Sequence, residues 1–261
     1  MTTNYLHERL RGFHPTFGTW IQIGHPASAF VLKTLPFDWI AVDCEHTEIG
    51  LGELASIVRG VSKDGPVVLA RVSQCSTIEI RRSLDVGVCG VIVPLIESRD
   101  DAERAVHAAK FPPTGRRGYS FCWANSFGED FDAYVRDANE EVVVVVMVET
   151  ASAVDHIEEI LAVDGIDAVF VGPYDLSGSY GLSGQIRHST VIEAERRVVA
   201  ACRKAGIPSG LHVVSPDAES IQTALAEGFV FLALGMDTIF LRESASRALA
   251  YAQTAGIHKS R

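Results

Sequence analysis

Ionisable side chains stand at the ends of four short apolar runs in this 261-residue sequence. They are His46, Arg71, Glu149 and Asp175. Burying a carboxylate without a partner costs several kcal/mol, so packing alone does not explain Glu149 at the end of its run. Taken singly, each residue also has a structural interpretation, such as a helix cap, a turn or an ion pair. Their coincidence at the ends of four runs favours a shared site.

The residue types indicate which chemistry such a site performs. Two carboxylates without converging cysteines or histidines favour a hard divalent cation such as Mg²⁺ or Mn²⁺, which would polarise the carbonyl of a chelating 2-oxo acid. Arg71 would stabilise negative charge on the same oxygens. His46 is the expected general base, because an unperturbed imidazole titrates near neutrality. Asp43, three residues upstream, is a candidate to orient that imidazole.

Lysine-based chemistry has no candidate residue. A Schiff-base aldolase or a pyridoxal-phosphate enzyme needs a lysine within the site. None of the five lysines ends an apolar run. They are Lys33, Lys63, Lys110, Lys204 and Lys259. The sequence therefore predicts neither a Schiff-base lysine nor pyridoxal phosphate.

Eight apolar runs supply the elements that would position these groups. Most are continuous and β-branched, which is typical of parallel strands covered on both faces. The runs are Phe17–Gly24, Phe37–Asp43, Pro66–Val72, Gly90–Ile96, Val142–Glu149, Ala168–Gly172, Pro208–Val214 and Phe229–Gly235. Helical patterns lie between them, at Ala151–Ala162, Val191–Ala205 and Asp217–Glu227. Eight βα units predict a (β/α)8 TIM barrel, whose reactive groups lie at the C-terminal ends of the strands.

The alternative fold is a doubly wound open sheet. That fold would carry a G-x-G-x-x-G turn after its first strand if it bound a dinucleotide. Here the turn is Gly24-His25-Pro26-Ala27, so neither that fold nor a nicotinamide cofactor is expected.

The chain is predicted to form one domain, 1–261. It comprises an N-terminal extension (1–16), an inserted loop region (111–141) and a C-terminal helix with a tail (238–261). An insertion of this length is more often a functional loop or an oligomer contact than slack. Ser215 and Pro216 predict a helix start, and Gly206 and Gly228 predict helix ends.

Composition narrows the classes of partner. The net charge is −10, and no basic stripe exceeds an arginine pair, so no nucleic acid is expected. The longest apolar run, Val142 to Val148, is far shorter than the roughly 20 residues that span a bilayer. The N-terminus lacks the apolar core of a signal peptide. The odd number of cysteines, without a C-x-x-C pair, indicates reduced thiols and a cytoplasmic protein.

Six segments resemble the HpcH/HpaI aldolase family of metal-dependent class II pyruvate aldolases. They are Gly18–Trp20, Phe37–His46, Leu84–Gly87, Pro112–Gly118, Val148–Thr150 and Val171–Ser177. The resemblance extends from about Gly18 to Ala250, and the D-x-E-H and G-P-x-D-L-S motifs make it specific. It implies reversible aldol cleavage of a 4-hydroxy-2-oxo acid to pyruvate and an aldehyde, through a metal-stabilised enolate.

The resemblance also implies roles for individual residues. His46 would be the base, Arg71 would stabilise the enolate and bind the pyruvate carboxylate, and Asp85 would raise the basicity of the histidine. Glu149 and Asp175 would hold Mg²⁺, Mn²⁺ or Co²⁺. The substrate carboxylate would lie against the segment Gly172, Pro173, Tyr174 and Asp175. Relatives form hexamers as trimers of dimers with exchanged C-terminal helices, here Thr238–Gln253.

Four positions depart from the family pattern and place substrate preference in question. Met147 replaces a common glutamine and cannot donate a hydrogen bond. Tyr174 replaces a small residue, Cys44 replaces a glycine, and His212 replaces an apolar residue. His212 is expected either to favour aldehydes bearing a hydroxyl or carboxylate, or to be a half-buried histidine bonded to a neighbour.

Two other functions stay open at the level of sequence. The first is another metal-enolate carbon–carbon lyase on the same barrel, such as a CoA-ester lyase or a decarboxylase. The second is a barrel without catalytic activity, against which the joint presence of His46, Arg71, Glu149 and Asp175 speaks.

Overall fold

Eight parallel strands form a closed barrel in a computed structural model that describes residues 3–61 and 65–255. The strands pair in chain order, and β8 pairs with β1. They are β1 (Thr16–Ile21), β2 (Trp39–Asp43), β3 (Val67–Arg71), β4 (Gly90–Val93), β5 (Val143–Val148), β6 (Ala168–Val171), β7 (Ser209–Val213) and β8 (Phe231–Met236). Each strand lies inside its predicted run or extends one residue beyond it, and the closed parallel sheet confirms the predicted (β/α)8 barrel.

Twelve α-helices are present in the described residues. They are α1 (Thr3–Arg11), α2 (Pro26–Leu32), α3 (Leu51–Val61), α4 (Thr77–Asp85), α5 (Arg99–Ala109), α6 (Phe131–Glu141), α7 (Ala151–Asp155), α8 (Ile157–Leu161), α9 (Pro173–Ser179), α10 (Ser189–Ala205), α11 (Ala218–Glu227) and α12 (Asp237–Thr254). Lys63, Lys259 and the predicted tail beyond residue 255 lie outside the described residues. None of these helices is long and apolar enough to cross a membrane.

Side chains fill the interior of the barrel. Trp39 stacks on Phe231 with ring centroids 4.2 Å apart, and both side chains are fully buried. A Cβ atom on Gly18 would lie 2.1 Å from the ring of Trp39, so only glycine fits there. Leu6 and Leu10 of α1 join the same interior cluster. Helix α1 therefore contributes to the barrel core.

The predicted insertion is only partly a loop. A 3-10 helix at Trp123–Gly128 and helix α6 occupy its second half, so the loop assignment for 111–141 is wrong there. The side chain of Asp130 does not cap helix α6, and Ala138 is the one residue that the helix buries, so few sequence signals mark this helix. The predicted helix start at Ser215 is also shifted, because Asp217 caps α11 by accepting a hydrogen bond from the Ser220 N–H. Gly206 and Gly228 do end helices, with φ of 74° and 103°.

Helix α12 leaves the barrel instead of lying along it. Asp237 at its start is the only buried residue of this helix. Leu241, Leu249 and Tyr251 are 64%, 61% and 67% exposed. Large apolar side chains exposed along an 18-residue helix are typical of a surface that contacts another protein.

Candidate active site

A cavity of about 150 Å³ lies at the C-terminal ends of the barrel strands. The structure brings ten of the predicted site residues to its wall. They are Asp43, His46, Arg71, Met147, Glu149, Gly172, Pro173, Tyr174, Asp175 and His212. Trp20, Gln22 and Phe170 are among the other residues that line it.

Glu149 follows β5 and is buried, with 4% of its surface exposed. Its Oε1 accepts a hydrogen bond of 2.8 Å from the Leu95 N–H, which fixes the carboxylate at the cavity wall. Burial raises the pKa of Glu149 to about 7, and the neighbouring carboxylates of Glu45 and Asp175 add to this effect. A cation bound beside Glu149 would offset both effects, because it favours the ionised carboxylate.

Close approach of two strand ends places this carboxylate. A Cβ atom on Gly172, directly after β6, would lie 2.8 Å from Oε2 and 2.9 Å from Cβ of Glu149. Pro173 then starts α9, and Asp175 lies in the first turn of that helix. The G-P-x-D motif thus leaves room for one carboxylate and supplies the second.

The donor set fits a hard divalent cation. Glu149 and Asp175 offer only carboxylate oxygens, which Mg²⁺ and Mn²⁺ prefer. In the described residues, no group of three or more His, Cys, Asp or Glu side chains is arranged to hold a metal. A site of two carboxylates leaves the remaining coordination positions to water and substrate.

Arg71, at the end of β3, is held on three sides. Its Nε donates to Oδ1 of Asp43 at 2.9 Å and its Nη2 donates to Oδ2 at 2.7 Å. Glu45 lies 3.3 Å from the same Nε, and the ring of Trp20 lies 4.6 Å from the guanidinium carbon. Burial opposes ionisation of Asp43, yet the hydrogen bonds and charge of Arg71 bring the pKa of Asp43 below its usual value. A fixed guanidinium is thus presented to the cavity.

His46 stands at the mouth of the cavity with 59% of its side chain exposed. Its Nε2 lies 3.5 Å from Oε2 of Glu45. Asp43 was expected to orient the imidazole, but it accepts a hydrogen bond from the backbone N–H of His46 instead, at 3.2 Å. Glu45 is therefore a carboxylate beside the imidazole, while both oxygens of Asp43 are engaged by Arg71.

Asp85 does not lie with the other predicted residues. It ends α4, and its Oδ1 accepts a hydrogen bond of 2.8 Å from Arg117. Helices of a (β/α)8 barrel run opposite to the strands, so the end of α4 lies toward the N-terminal end of the barrel. Within one chain, Asp85 is not among the residues lining the cavity with His46.

His212 is the penultimate residue of β7 and lines the cavity beside Trp20, with ring centroids 6.1 Å apart. Its Nε2 lies 3.1 Å from the carbonyl oxygen of Gly235, so this nitrogen carries the proton. Burial lowers the pKa of His212 to about 4. The imidazole is therefore neutral at pH 7, which disfavours the expected recognition of a carboxylate and leaves recognition of a hydroxyl.

Sequence reasoning missed two polar residues of the site. Glu45 has a signal, since it lies inside the D-x-E-H motif; its buried Oε2 accepts no hydrogen bond and faces Arg71 and His46. Gln22 follows β1 and donates to Oδ2 of Asp43 at 3.1 Å. No charge or motif marks Gln22 in the sequence.

Comparison with known proteins identifies the family. The model of the HpcH/HpaI aldolase/citrate lyase family matches residues 16–244. A hydroxypyruvate/pyruvate aldolase of Paraburkholderia phytofirmans is 34% identical over 256 residues, which are 95% of this chain and 96% of that protein. A 4-hydroxy-2-oxovalerate aldolase of Rhodococcus jostii is 35% identical over 241 residues, 91% of this chain and 92% of that protein. A crystal structure of a family protein from Burkholderia cenocepacia has a TM-score of 0.91 at 33% identity, covering 96% of this chain and 99% of that chain. The chain belongs to the HpcH/HpaI aldolase/citrate lyase family.

Proposed function

We propose that the protein is a divalent-metal-dependent aldolase that reversibly cleaves a 4-hydroxy-2-oxo acid to pyruvate and an aldehyde. Membership of the family, and the aldolase names of similar proteins, support this carbon–carbon lyase reaction. The observation that carries the proposal is the convergence of Glu149, Asp175, Arg71 and His46 on one small cavity.

Each of these residues has a role that its surroundings support. A divalent cation held by Glu149 and Asp175 would polarise the keto group of the substrate. Arg71, immobilised by Asp43, places a cation where negative charge grows on the keto oxygen. His46 accepts the proton of the C4 hydroxyl as the C3–C4 bond breaks, and the electrons of that bond move to the keto oxygen. The proton then moves from His46 to C3 of the enolate, which gives pyruvate and restores the free base. In the synthetic direction both proton transfers run in reverse.

The remaining wall residues would position the substrate. The carboxylate of the 2-oxo acid lies against the segment Gly172, Pro173, Tyr174 and Asp175. Met147 cannot donate a hydrogen bond, so Arg71 is the donor for the keto oxygen. His212 lies on the wall toward Trp20, where a hydroxyl of the substrate would meet its neutral ring.

Pyruvate release from a panel of 4-hydroxy-2-oxo acids tests the reaction. Activity should vanish in EDTA and return with Mg²⁺, Mn²⁺ or Co²⁺, because the described lysines do not line the cavity to act as an iminium electron sink. The panel includes the aldol adducts of both pyruvate and hydroxypyruvate, since one relative is named for both. Turnover that persists unchanged in EDTA contradicts the proposal.

A trapping experiment separates this reaction from Schiff-base chemistry. Borohydride added with pyruvate should leave the mass of the protein unchanged. A borohydride-dependent adduct on any lysine would refute the metal-dependent assignment.

We also propose that the protein forms a hexamer, a trimer of dimers in which α12 is exchanged between neighbours. The exposure of Leu241, Leu249 and Tyr251 supports this assembly, because a free helix of this kind would expose apolar surface to water. Light scattering after size exclusion should give a hexamer for the unmodified protein. The substitution Leu249→Glu should shift it to smaller species, and an unmodified protein that is monomeric at micromolar concentration contradicts the assembly.

A cytoplasmic location is proposed on the state of the cysteines. All five are free and lie in the described ranges: Cys44, Cys75, Cys89, Cys122 and Cys202. Unpaired thiols are typical of reducing compartments. Fractionation of cells that produce the protein would check this location.

A further inference from the structure

The side chain of Gln22 connects the active site to the first turn of α12. Its Nε2 donates to Oδ2 of Asp43 at 3.1 Å. Its Oε1 accepts a hydrogen bond from the hydroxyl of Thr238, also at 3.1 Å. Both polar ends of the amide are therefore engaged, one by the site and one by the helix.

The carboxylate of Asp43 decides which way the amide points, and the hydroxyl of Thr238 holds the other end of the amide. An ionised carboxylate only accepts, so Nε2 faces Asp43 and Oε1 is left to accept from Thr238, whose hydroxyl can donate or accept. A flipped amide would place Oε1 against a carboxylate oxygen. Without Thr238, the side chain of Gln22 could rotate away from Asp43.

The backbone of this segment is anchored to the same helix. Asp237, the buried first residue of α12, accepts hydrogen bonds from the N–H of Gln22 at 2.9 Å and of Ile23 at 3.1 Å. The hydroxyl of Ser28 donates to the same carboxylate at 2.6 Å. The start of α12 and the segment after β1 therefore form one hydrogen-bonded unit.

Asp43 passes this constraint to Arg71. Its Oδ2 is shared between Gln22 and Nη2 of Arg71, and its Oδ1 accepts from Nε of Arg71. A carboxylate held by several donors has one orientation, and the guanidinium that pairs with it in a fork has one orientation too.

We propose that Gln22 is a positioning residue, which couples the seating of α12 to the orientation of the Asp43–Arg71 pair. The inference rests on the proposed function for the role of Arg71, and it extends that function by linking assembly to the site. Whatever holds the exposed body of α12 in place also steadies the guanidinium through Thr238, Gln22 and Asp43.

Matched variants test the link. Gln22→Ala removes the side chain. Thr238→Val removes only the hydroxyl, and Thr238→Ser keeps it. Ser28→Ala removes a different hydrogen bond to Asp237 and leaves the amide of Gln22 untouched. Thermal melting of each variant shows whether the fold is preserved.

Two measurements are made on each variant. The first is the affinity for oxalate, a planar dianion that resembles the pyruvate enolate, measured by calorimetry in excess Mg²⁺. The second is kcat and KM for aldol cleavage. Gln22→Ala should weaken oxalate binding roughly tenfold, because a hydrogen bond to a charged group is lost. Thr238→Val should weaken it by about threefold, while Thr238→Ser and Ser28→Ala bind as the unmodified protein does. The double variant of Gln22→Ala and Thr238→Val should equal Gln22→Ala alone, because Thr238 acts through Gln22.

Three results would overturn the proposal. Additive losses in the double variant would mean that Thr238 and Gln22 act separately. Equal losses in Ser28→Ala and Thr238→Val would mean that the site responds to any loosening of α12, without the hydrogen bond from Thr238 to Gln22 as the link. A loss in Gln22→Ala with none in Thr238→Val would make Gln22 a direct contact of the ligand. If the unmodified protein binds oxalate with Mg²⁺ yet cleaves no 4-hydroxy-2-oxo acid, the proposed function fails while the coupling is still decided by oxalate binding.

Discussion

Gly172 and Glu149 occupy neighbouring strand ends so closely that a methyl group on Gly172 would lie 2.8 Å from the carboxylate oxygen of Glu149. We expect Gly172→Ala to displace this carboxylate and to weaken binding of Mn²⁺ by at least tenfold, with a smaller effect on melting temperature. Electron paramagnetic resonance of free Mn²⁺ measures the affinity. Gly178→Ala, in the same helix α9, is the control, because its nearest neighbour at 3.9 Å leaves room for the methyl group. Equal affinities for Mn²⁺ in the two variants would show that the space at Gly172 does not affect metal binding.

Metal binding should depend on pH near neutrality. The pKa of Glu149 is raised to about 7 by burial, with Glu45 and Asp175 contributing, and a cation binds the ionised form. Affinity for Mn²⁺ should therefore fall as the pH is lowered from 8 to 6, and binding should release protons in that range. Glu149→Gln should weaken binding and abolish the pH dependence near 7, whereas Asp175→Asn should weaken binding and retain it. Proton release measured by calorimetry in buffers of different ionisation enthalpy checks both. A pH-independent affinity would contradict the raised pKa of Glu149, and an unchanged affinity in Glu149→Gln would show that Glu149 is not a ligand.

The substitution His46→Ala should lower kcat by roughly 10²–10⁴, the usual contribution of a positioned general base, with little effect on pyruvate binding. Exchange of the pyruvate methyl protons with solvent gives a second readout of enolate formation. His156→Ala, on an exposed surface position, serves as the control. Unchanged turnover of the His46 variant across the pH range would place the base elsewhere.

Acceptor preference should respond to His212. Its neutral ring can hydrogen-bond a hydroxyl, and sites built around a polar contact reject analogues that lack it. We expect His212→Leu to narrow the ratio of kcat/KM between hydroxyaldehydes and alkyl aldehydes in the synthetic direction, without changing pyruvate affinity. Loss of pyruvate binding in this variant would instead assign His212 to the donor side of the cavity.

A buried carboxylate outside the site offers a test of stability. Burial raises the pKa of Glu195 in α10 to about 7, and Glu227 adds to this shift, from an ordinary value of 4.5. The folded state therefore favours the protonated form, whose stabilisation is complete below pH 4.5 and is lost as the pH rises through 7. Glu195→Gln should raise the melting temperature at pH 8 and change it little at pH 5. Glu193→Gln, exposed on the same helix, should change neither. A Glu195 variant that melts with unmodified pH dependence contradicts this account.

Features that depend on neighbouring residues in the sequence are predicted, and features that depend on distant contacts are not. The eight strands are predicted because continuous β-branched runs are typical of buried parallel strands. Glu149 and Arg71 are predicted as site residues because they stand at the ends of such runs. Asp85 lies outside the cavity of its own chain, and the motif Leu84–Gly87 gives no sign of which end of the barrel its helix faces. Gln22 was missed because its role depends on Thr238, more than 200 residues away. Tertiary partners of uncharged residues leave no periodic or charge pattern.

The pairing of β1 with β8 means that the barrel closes only after nearly the whole chain is available. The N–H of Thr16 donates to the carbonyl oxygen of Val230, and Thr16 pairs with Phe231, so the first and last strands meet across nearly the whole sequence. Contacts of such long separation form slowly, since the loop between them must be ordered first. During synthesis, one edge of the apolar strand β1 therefore stays unpaired until β8 has left the ribosome. A chain truncated before Phe231 would leave two open sheet edges and would be prone to aggregate, whereas one truncated after Met236 has every strand it needs to close.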